Sequence, residues 1–203
     1  MAQRESSSKR HDQASQYNDV SIRVSAAAHF RENVPHELLG DRRWVTWRYK
    51  LRGDGSNAGK WTKPPDQAVD APEKWLSFDE AMELAARNKA KGVGYVLGGG
   101  LVGIDLDNVR ECDEIARDAL GLGSYCEVSP SLRGLRVLIC GTITRNRNIR
   151  ARHGQPGREV YASARYFTVM GKRIGEATDV ASGSREQRLL DFFYATWFPN
   201  YGR

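Results

Sequence analysis

The segment Leu101-Val102-Gly103-Ile104-Asp105-Leu106-Asp107 narrows the possible folds more than any other part of the chain. Successive side chains of a strand point to opposite faces, so Asp105 and Asp107 project together while Ile104 and Leu106 point the other way. The apolar pair requires a core behind the strand, and the acidic pair is thereby anchored on a rigid front. Two parallel carboxylates repel each other unless a cation lies between them, and hard divalent ions such as Mg²⁺ or Mn²⁺ prefer oxygen ligands of this kind. A metal-binding face is the economical expectation, and a solvated acidic surface is its alternative.

A chain of 203 residues can bury one sizeable core, or two small packed ones, without disulfides or structural metals. No stretch approaches the ~20 apolar residues that span a bilayer. The N-terminal residues MAQRESSSKRHDQASQYND carry charge with no apolar run behind it, so they do not read as a secretory signal, and a cytoplasmic location is expected. Cys112, Cys126 and Cys140 lack CxxC spacing and the four histidines do not fall at zinc-ligand intervals, so neither a disulfide framework nor a zinc site is expected. Cys126 and Cys140 read as small buried hydrophobes.

The net charge of +6 is unevenly distributed. Seven Lys or Arg lie between Arg42 and Lys63 against Asp54 alone, and eight lie between Arg145 and Arg173 against Glu159 alone. Residues 66–127 reverse the balance, with thirteen acids to six bases. Basic segments flanking an acidic centre suit a protein that attracts a polyanion and holds cations at one place.

Residues 1–20 are too poor in large apolar side chains to offset ordering entropy and are expected to form a mobile arm, with structure beginning near Val34. Arg43 to Tyr49 reads as a strand that Gly53-Asp54-Gly55 turns back onto Lys60 to Lys63, a hairpin ending at Pro64-Pro65. Ser77-Phe78-Asp79-Glu80 is a capping-box pattern that predicts a helix stopping near Gly92. Val93 to Leu97 and Leu101 to Asp107 read as two strands joined by a tight glycine turn. A helix is expected over Glu111 to Leu120, and a last one over Arg185 to Phe198 within a C-terminal segment 185–200. Short strands are expected at Tyr125 to Val128, Leu135 to Cys140, Glu159 to Tyr161 and Arg165 to Met170. Helices and antiparallel strands without a βαβ rhythm give an α+β class.

Two further segments carry chemistry. In Glu127-Val128-Ser129-Pro130-Ser131-Leu132-Arg133-Gly134-Leu135-Arg136, two hydroxyls, two guanidinium groups and a glycine that admits close approach to the backbone are gathered before a strand. Such a loop suits a triphosphate, and a solvated basic turn is the alternative. In Arg158-Glu159-Val160-Tyr161 through Arg165-Tyr166-Phe167-Thr168-Val169-Met170-Gly171, Glu159 is the sole acid of a basic stretch. It suits a metal ligand, or a simple ion pair with Arg158 or Arg165. Arg145, Arg147, Arg150 and Arg152 crowd four cations into eight residues, which is costly without an anion such as a nucleic-acid backbone. Trp44, Trp47 and Trp61 are either stacking platforms for bases or core, with core favoured for at least one of Trp44 and Trp47.

Taken in order, these three segments resemble the catalytic core of the archaeo-eukaryotic primase superfamily, in particular the bifunctional primase-polymerase domains of phages and plasmids. That family has two acids one residue apart on a strand, a loop S-x-S-G-x-G-x-H, and a third acid ahead of a segment like RYFTVTG. Asp105 and Asp107 match the pair, Ser129, Ser131 and Gly134 match the loop, and Glu159 matches the third acid. RRWVTWRYK, KWTKPP and WLSFDEAMELA are similar to the family's N-terminal portion, so the resemblance covers residues 34–175. It departs at Leu132, where glycine is usual, and at Arg136, where the family has a histidine that contacts phosphates.

The resemblance implies a catalytic core with an N-terminal α/β subdomain packed on an RRM-like antiparallel sheet. It implies template-directed nucleotidyl transfer, with two Mg²⁺ or Mn²⁺ ions on Asp105, Asp107 and Glu159. Ser129, Ser131, Arg133, Gly134, Arg136 and Arg165 would hold the nucleoside triphosphate, and Arg145, Arg147, Arg150 and Arg152 a single-stranded DNA template and primer. A replicative helicase is a further expected partner. Two rivals remain open: a replication-initiator module that binds nucleic acid with weakened chemistry, and a two-metal nuclease, which has no need of a triphosphate cradle.

Overall fold

A computed structural model describes residues 26–53, 59–109, 113–150 and 156–199. Two main antiparallel sheets, a two-stranded hairpin and five α-helices make up the described structure, in agreement with the α+β class. The helices are α1 (Ala26–Asn33), α2 (His36–Leu39), α3 (Phe78–Arg87), α4 (Glu114–Gly121) and α5 (Ser184–Trp197). No helix among the described residues is long and apolar enough to cross a membrane. The 1–20 arm expected from composition lies outside the described residues, and ordered structure begins before Val34, in α1.

The smaller sheet has three strands in the order β1 (Trp44–Trp47), β4 (Gly92–Val96), β10 (Tyr166–Val169). The larger has six, in the order β11 (Arg173–Ile174), β6 (Cys126–Val128), β7 (Gly134–Cys140), β5 (Leu101–Asp107), β9 (Gly157–Tyr161), β8 (Arg147–Ile149). Helix α3 begins at the expected capping box: the Ser77 side chain accepts from the Glu80 backbone at 3.3 Å, and Glu80 accepts from the Ser77 N–H at 2.7 Å.

Two strand pairings differ from the expected ones. Trp44–Trp47 does not fold back onto residues 60–63 but lies against β4, leaving only the short hairpin β2 (Lys50–Leu51) and β3 (Trp61–Thr62). Burial explains why: all four of its residues are buried, Trp44 and Trp47 completely, so the strand needs a partner within the core. The glycine turn after β4 likewise does not make a hairpin. β4 enters the three-stranded sheet and β5 the six-stranded one, and a single bridge, Gly98 to Leu101, spans the turn.

The alternation expected of β5 is present and divides two cores. Ile104 and Leu106 are fully buried against α4 and α5, with Ile115, Ala119 and Leu190 in the same cluster. Leu101, on the opposite face, joins a second cluster with Leu138, Tyr161, Phe167 and α3 that fills the space between the sheets. Gly103 shares this face, and a methyl there would stand 2.6 Å from the Phe167 ring and 2.8 Å from Leu97. The sheets therefore touch at Gly103, and a crevice lined by Asp105 and Glu159 lies beside that contact. Gly103→Ala is expected to lower stability by about 1–3 kcal/mol through overpacking, read as a shifted urea midpoint at unchanged m-value.

Candidate functional site

The six-stranded sheet aligns one residue from each strand into a continuous polar row. Asn148 is paired with Glu159, Glu159 with Asp105, Asp105 with Arg136, Arg136 with Glu127, and Glu127 with Arg173. Directly paired residues present their side chains to the same face roughly 5 Å apart. The third acid thus stands beside the first, on an adjacent strand. Asp107 lies two residues along β5 and is flanked on both neighbouring strands by glycine, Gly134 and Gly157. No side chain crowds it from either strand.

Adjacent like charges make this arrangement expensive. The Glu159 carboxyl is raised above its ordinary value, first by burial and further by Asp105 and Asp107, against an opposing hydrogen bond of 2.8 Å from the Tyr161 hydroxyl. Asp107 is raised as well, by lost hydration and then by Asp105. Both shifts run in the direction that a cation between the carboxylates would relieve.

Arg136 supplies the nearest compensation. Its Nε and a terminal nitrogen donate to the two Asp105 oxygens at 3.3 and 3.2 Å, and its other terminal nitrogen donates to the Thr168 carbonyl at 3.0 Å and to the Thr168 hydroxyl. The guanidinium also lies 5.2 Å from the Phe167 ring centroid. Burial works against its charge, yet Asp105 and Glu127 outweigh that and raise its pKa. One side chain therefore ties β5 and β7 of the large sheet to β10 of the small one.

Glu127 makes a second tie. The sequence marks it only as the start of the basic loop, but its carboxylate accepts from the Met170 and Gly171 N–H groups at 2.9 and 3.1 Å and from the Tyr125 hydroxyl at 3.0 Å. Burial pushes its pKa up to about 7, against those donors and Arg136. Once the turn between β6 and β7 is recognised, pairing Glu127 with Arg136 is the signal that finds it.

The donor types at Asp105, Asp107 and Glu159 suit a hard divalent ion, and they share a face. Among the described residues, however, no three acidic, histidine or cysteine side chains are gathered closely enough to hold a metal as they stand. Asp105 directs both oxygens to Arg136, and Glu159 accepts from Tyr161.

The other expected residues separate into groups. Arg136, Arg150 and Arg165 line a crevice of about 220 Å³ with Asp105 and Glu159. Arg165 also lies 5.0 Å from the Tyr161 ring. Ser129 and Ser131 turn their hydroxyls toward each other at 3.0 Å, and with Arg133 they close the turn at the Asp107 end rather than line this crevice. Gly134 has a packing reason of its own, since a Cβ there would meet the Leu106 carbonyl at 2.1 Å. Leu132 has φ 58°, the left-handed region in which glycine is unstrained, and it is 59% exposed.

Arg147 is on the strand position facing away from the acids and donates to the Tyr194 hydroxyl at 3.2 Å, so β8 does not present it together with Arg150. Arg145 is exposed on the approach to β8, and Arg152 lies outside the described residues, as does Cys112. Burial excludes Trp44 and Trp47 as stacking platforms, whereas Trp61 is 44% exposed. Cys126 is buried, with its thiol pushed up to about 12 by burial and then by Glu127.

Replacing Leu132 with glycine is expected to stabilise the turn by up to about 1 kcal/mol, measurable by thermal or chemical unfolding. Glu127 has a folded pKa above its unfolded value of 4.5, so its contribution to stability is full below pH 4.5 and is lost as the pH rises to about 7. Glu127→Gln removes that dependence. The difference in unfolding free energy between wild type and variant should change across this window and level off above it, whereas a difference constant with pH would exclude the titration.

No protein-family model matches the chain. Over 149 residues it is 32% identical to the DNA Primase-polymerase of Nitratiruptor phage NrS-1, an alignment that takes in 68% of this chain and 20% of that protein. The chain thus spans about one fifth of the length of the curated relative it matches. A polar row that pairs Glu159 with Asp105 thus belongs to a chain related in sequence to a phage DNA primase-polymerase.

Proposed function

We propose that this chain adds nucleotides to a primer strand under the direction of a DNA template, as a primase-polymerase nucleotidyltransferase. The observation that carries the reading is the pairing of Asp105 with Glu159 in a crevice bordered by Arg136, Arg150 and Arg165, with Asp107 two residues along β5 on the same face of the sheet. Relationship to a phage DNA primase-polymerase supports it.

Asp105, Asp107 and Glu159 would hold Mg²⁺ or Mn²⁺, which when bound activates a hydroxyl and stabilises charge on a phosphoryl group under attack. The chain's own residues contribute placement. Arg165 and Arg136 offer guanidinium groups to the phosphates of an incoming nucleoside triphosphate. Arg150, exposed at the rim, is placed to neutralise the backbone of single-stranded template or primer, and Trp61 offers an exposed ring on which a base can stack. The raised carboxyls of Asp107 and Glu159 mean that protons compete with a cation for them more strongly than at ordinary carboxylates, so activity should fall as the pH is lowered.

A second reading rests on the Asp105–Arg136 pair. An arginine bound through two nitrogens to a metal-ligand candidate competes with any cation for it, which favours a module that binds nucleic acid with weakened chemistry.

Primer extension with Mg²⁺ or Mn²⁺ separates the two. Asp105→Ala and Glu159→Ala should each reduce extension on the order of 100-fold or more, and chelation should abolish it. Extension that survives both substitutions would sink the assignment. Retained single-strand binding with no extension by the wild type would select the second reading, and cleavage of labelled DNA with Mn²⁺ and no nucleotides would indicate a nuclease.

A further inference from the structure

Among the described residues Arg136 is the only basic one that is buried, at 8% exposure. Strand pairing sets it on one flank of Asp105 and sets Glu159 on the other. Asp105 therefore has a fixed cation on one side and a carboxylate on the other. A further cation is drawn in between Asp105 and Glu159 and is repelled from the side that Arg136 holds.

The guanidinium is braced where it stands. Of its five N–H groups, four are committed: Nε and one terminal nitrogen donate to the two Asp105 oxygens at 3.3 and 3.2 Å, and the other terminal nitrogen donates to the Thr168 carbonyl at 3.0 Å and to the Thr168 hydroxyl. One N–H is left for a phosphate oxygen. The Phe167 ring lies 5.2 Å away, and Glu127, next in the polar row, attracts the same charge from the far side. Moving Arg136 away would leave Asp105, Thr168 and Glu127 short of a partner together, which is costly in a buried position.

This bracing bears on how many ions the acids can take. Paired ions in two-metal sites lie about 3.5–4 Å apart, so a carboxylate at their centre turns an oxygen to each. Both Asp105 oxygens are engaged by the guanidinium, and the lone pairs that remain serve an ion on the Glu159 side. Charge points the same way. Of the three negative charges on Asp105, Asp107 and Glu159, Arg136 offsets one and a single divalent ion offsets the other two. Lys63, which feels both aspartates, and Arg165, which lines the crevice with Glu159, oppose any further cation.

We infer that the acidic face holds one divalent ion in the free protein, among Asp105, Asp107 and Glu159, and that the Arg136 guanidinium takes the place of a second. The inference rests on the nucleotidyl-transfer reading above, which assigns the ion to these acids, and it replaces the two ions expected from the resemblance with one.

The test counts bound Mn²⁺ in the absence of nucleotide and DNA, from the loss of the free-ion signal in electron paramagnetic resonance. Only ions lost in Asp107→Asn are counted as bound at the site. Wild type is expected to bind one. Arg136→Gln, which removes the charge and keeps a donor, is expected to bind a second within about tenfold of the first in affinity, since like-charge repulsion is relieved. Arg136→Lys keeps the charge and is expected to stay at one, so the count follows charge. Two ions or none at the wild-type site, two in Arg136→Lys, or a single ion in folded Arg136→Gln would each overturn the inference. The wild-type count decides even if Arg136→Gln fails to fold. Primer extension by a wild type that binds two ions would overturn this inference and leave the nucleotidyl-transfer reading standing, whereas one bound ion without extension would sink that reading alone.

Discussion

Arg136 is the interaction on which the arrangement of this molecule turns. Its guanidinium reaches Asp105 on one sheet and Thr168 on the other, in a crevice where an unpaired charge of either sign would be costly. Removing one partner of such a buried pair costs about 3–5 kcal/mol. Glu127, one strand further on, adds a second tie to the backbone at Met170 and Gly171. The two sheets are therefore joined by hydrophobic contact at one end of the crevice, around Gly103 and Phe167, and by buried polar bonds at the other.

That division of labour makes room for a site. Glycines at positions 134 and 157, paired with Asp107, keep space open beside one carboxylate, while the sheet register places Glu159 beside another. The charges that result are only partly compensated, as the raised carboxyls of Asp107 and Glu159 record. An acidic face next to a pocket whose charged lining, among the described residues, is Arg52, Lys63, Arg136 and Arg165 is an electrostatic gradient over a few residues. A ligand that carries negative charge at one end and brings cations at the other satisfies both sides of it.

Much of the local structure was legible because it rests on local rules. The capping box of α3 needs only Ser77 and Glu80, and the two faces of β5 follow from alternation. Strand partners were less accessible. The run Trp44–Trp47 and the glycine-rich turn after β4 both looked like halves of hairpins, yet each strand found a partner distant in sequence within the core. The surroundings of Lys63 were invisible for the same reason, since its neighbours Arg136, Asp105 and Asp107 lie 42 to 73 positions along the chain.

The sequence alone determined the identity of the acidic pair, its rigid support on an apolar strand, and a basic character on either side of it, because alternation and charge are read residue by residue. It also supplied the glycine and arginine positions that proved to matter, without their reasons: Gly134 makes way for a neighbouring carbonyl, and Arg136 bridges two sheets. Only the tertiary structure decided that Glu159 stands beside Asp105, that Asp105 is held by Arg136, and that Trp44 and Trp47 belong to the core. Those outcomes depend on strand register and on which strands meet, and a shift of one residue would have sent each of these side chains to the opposite face.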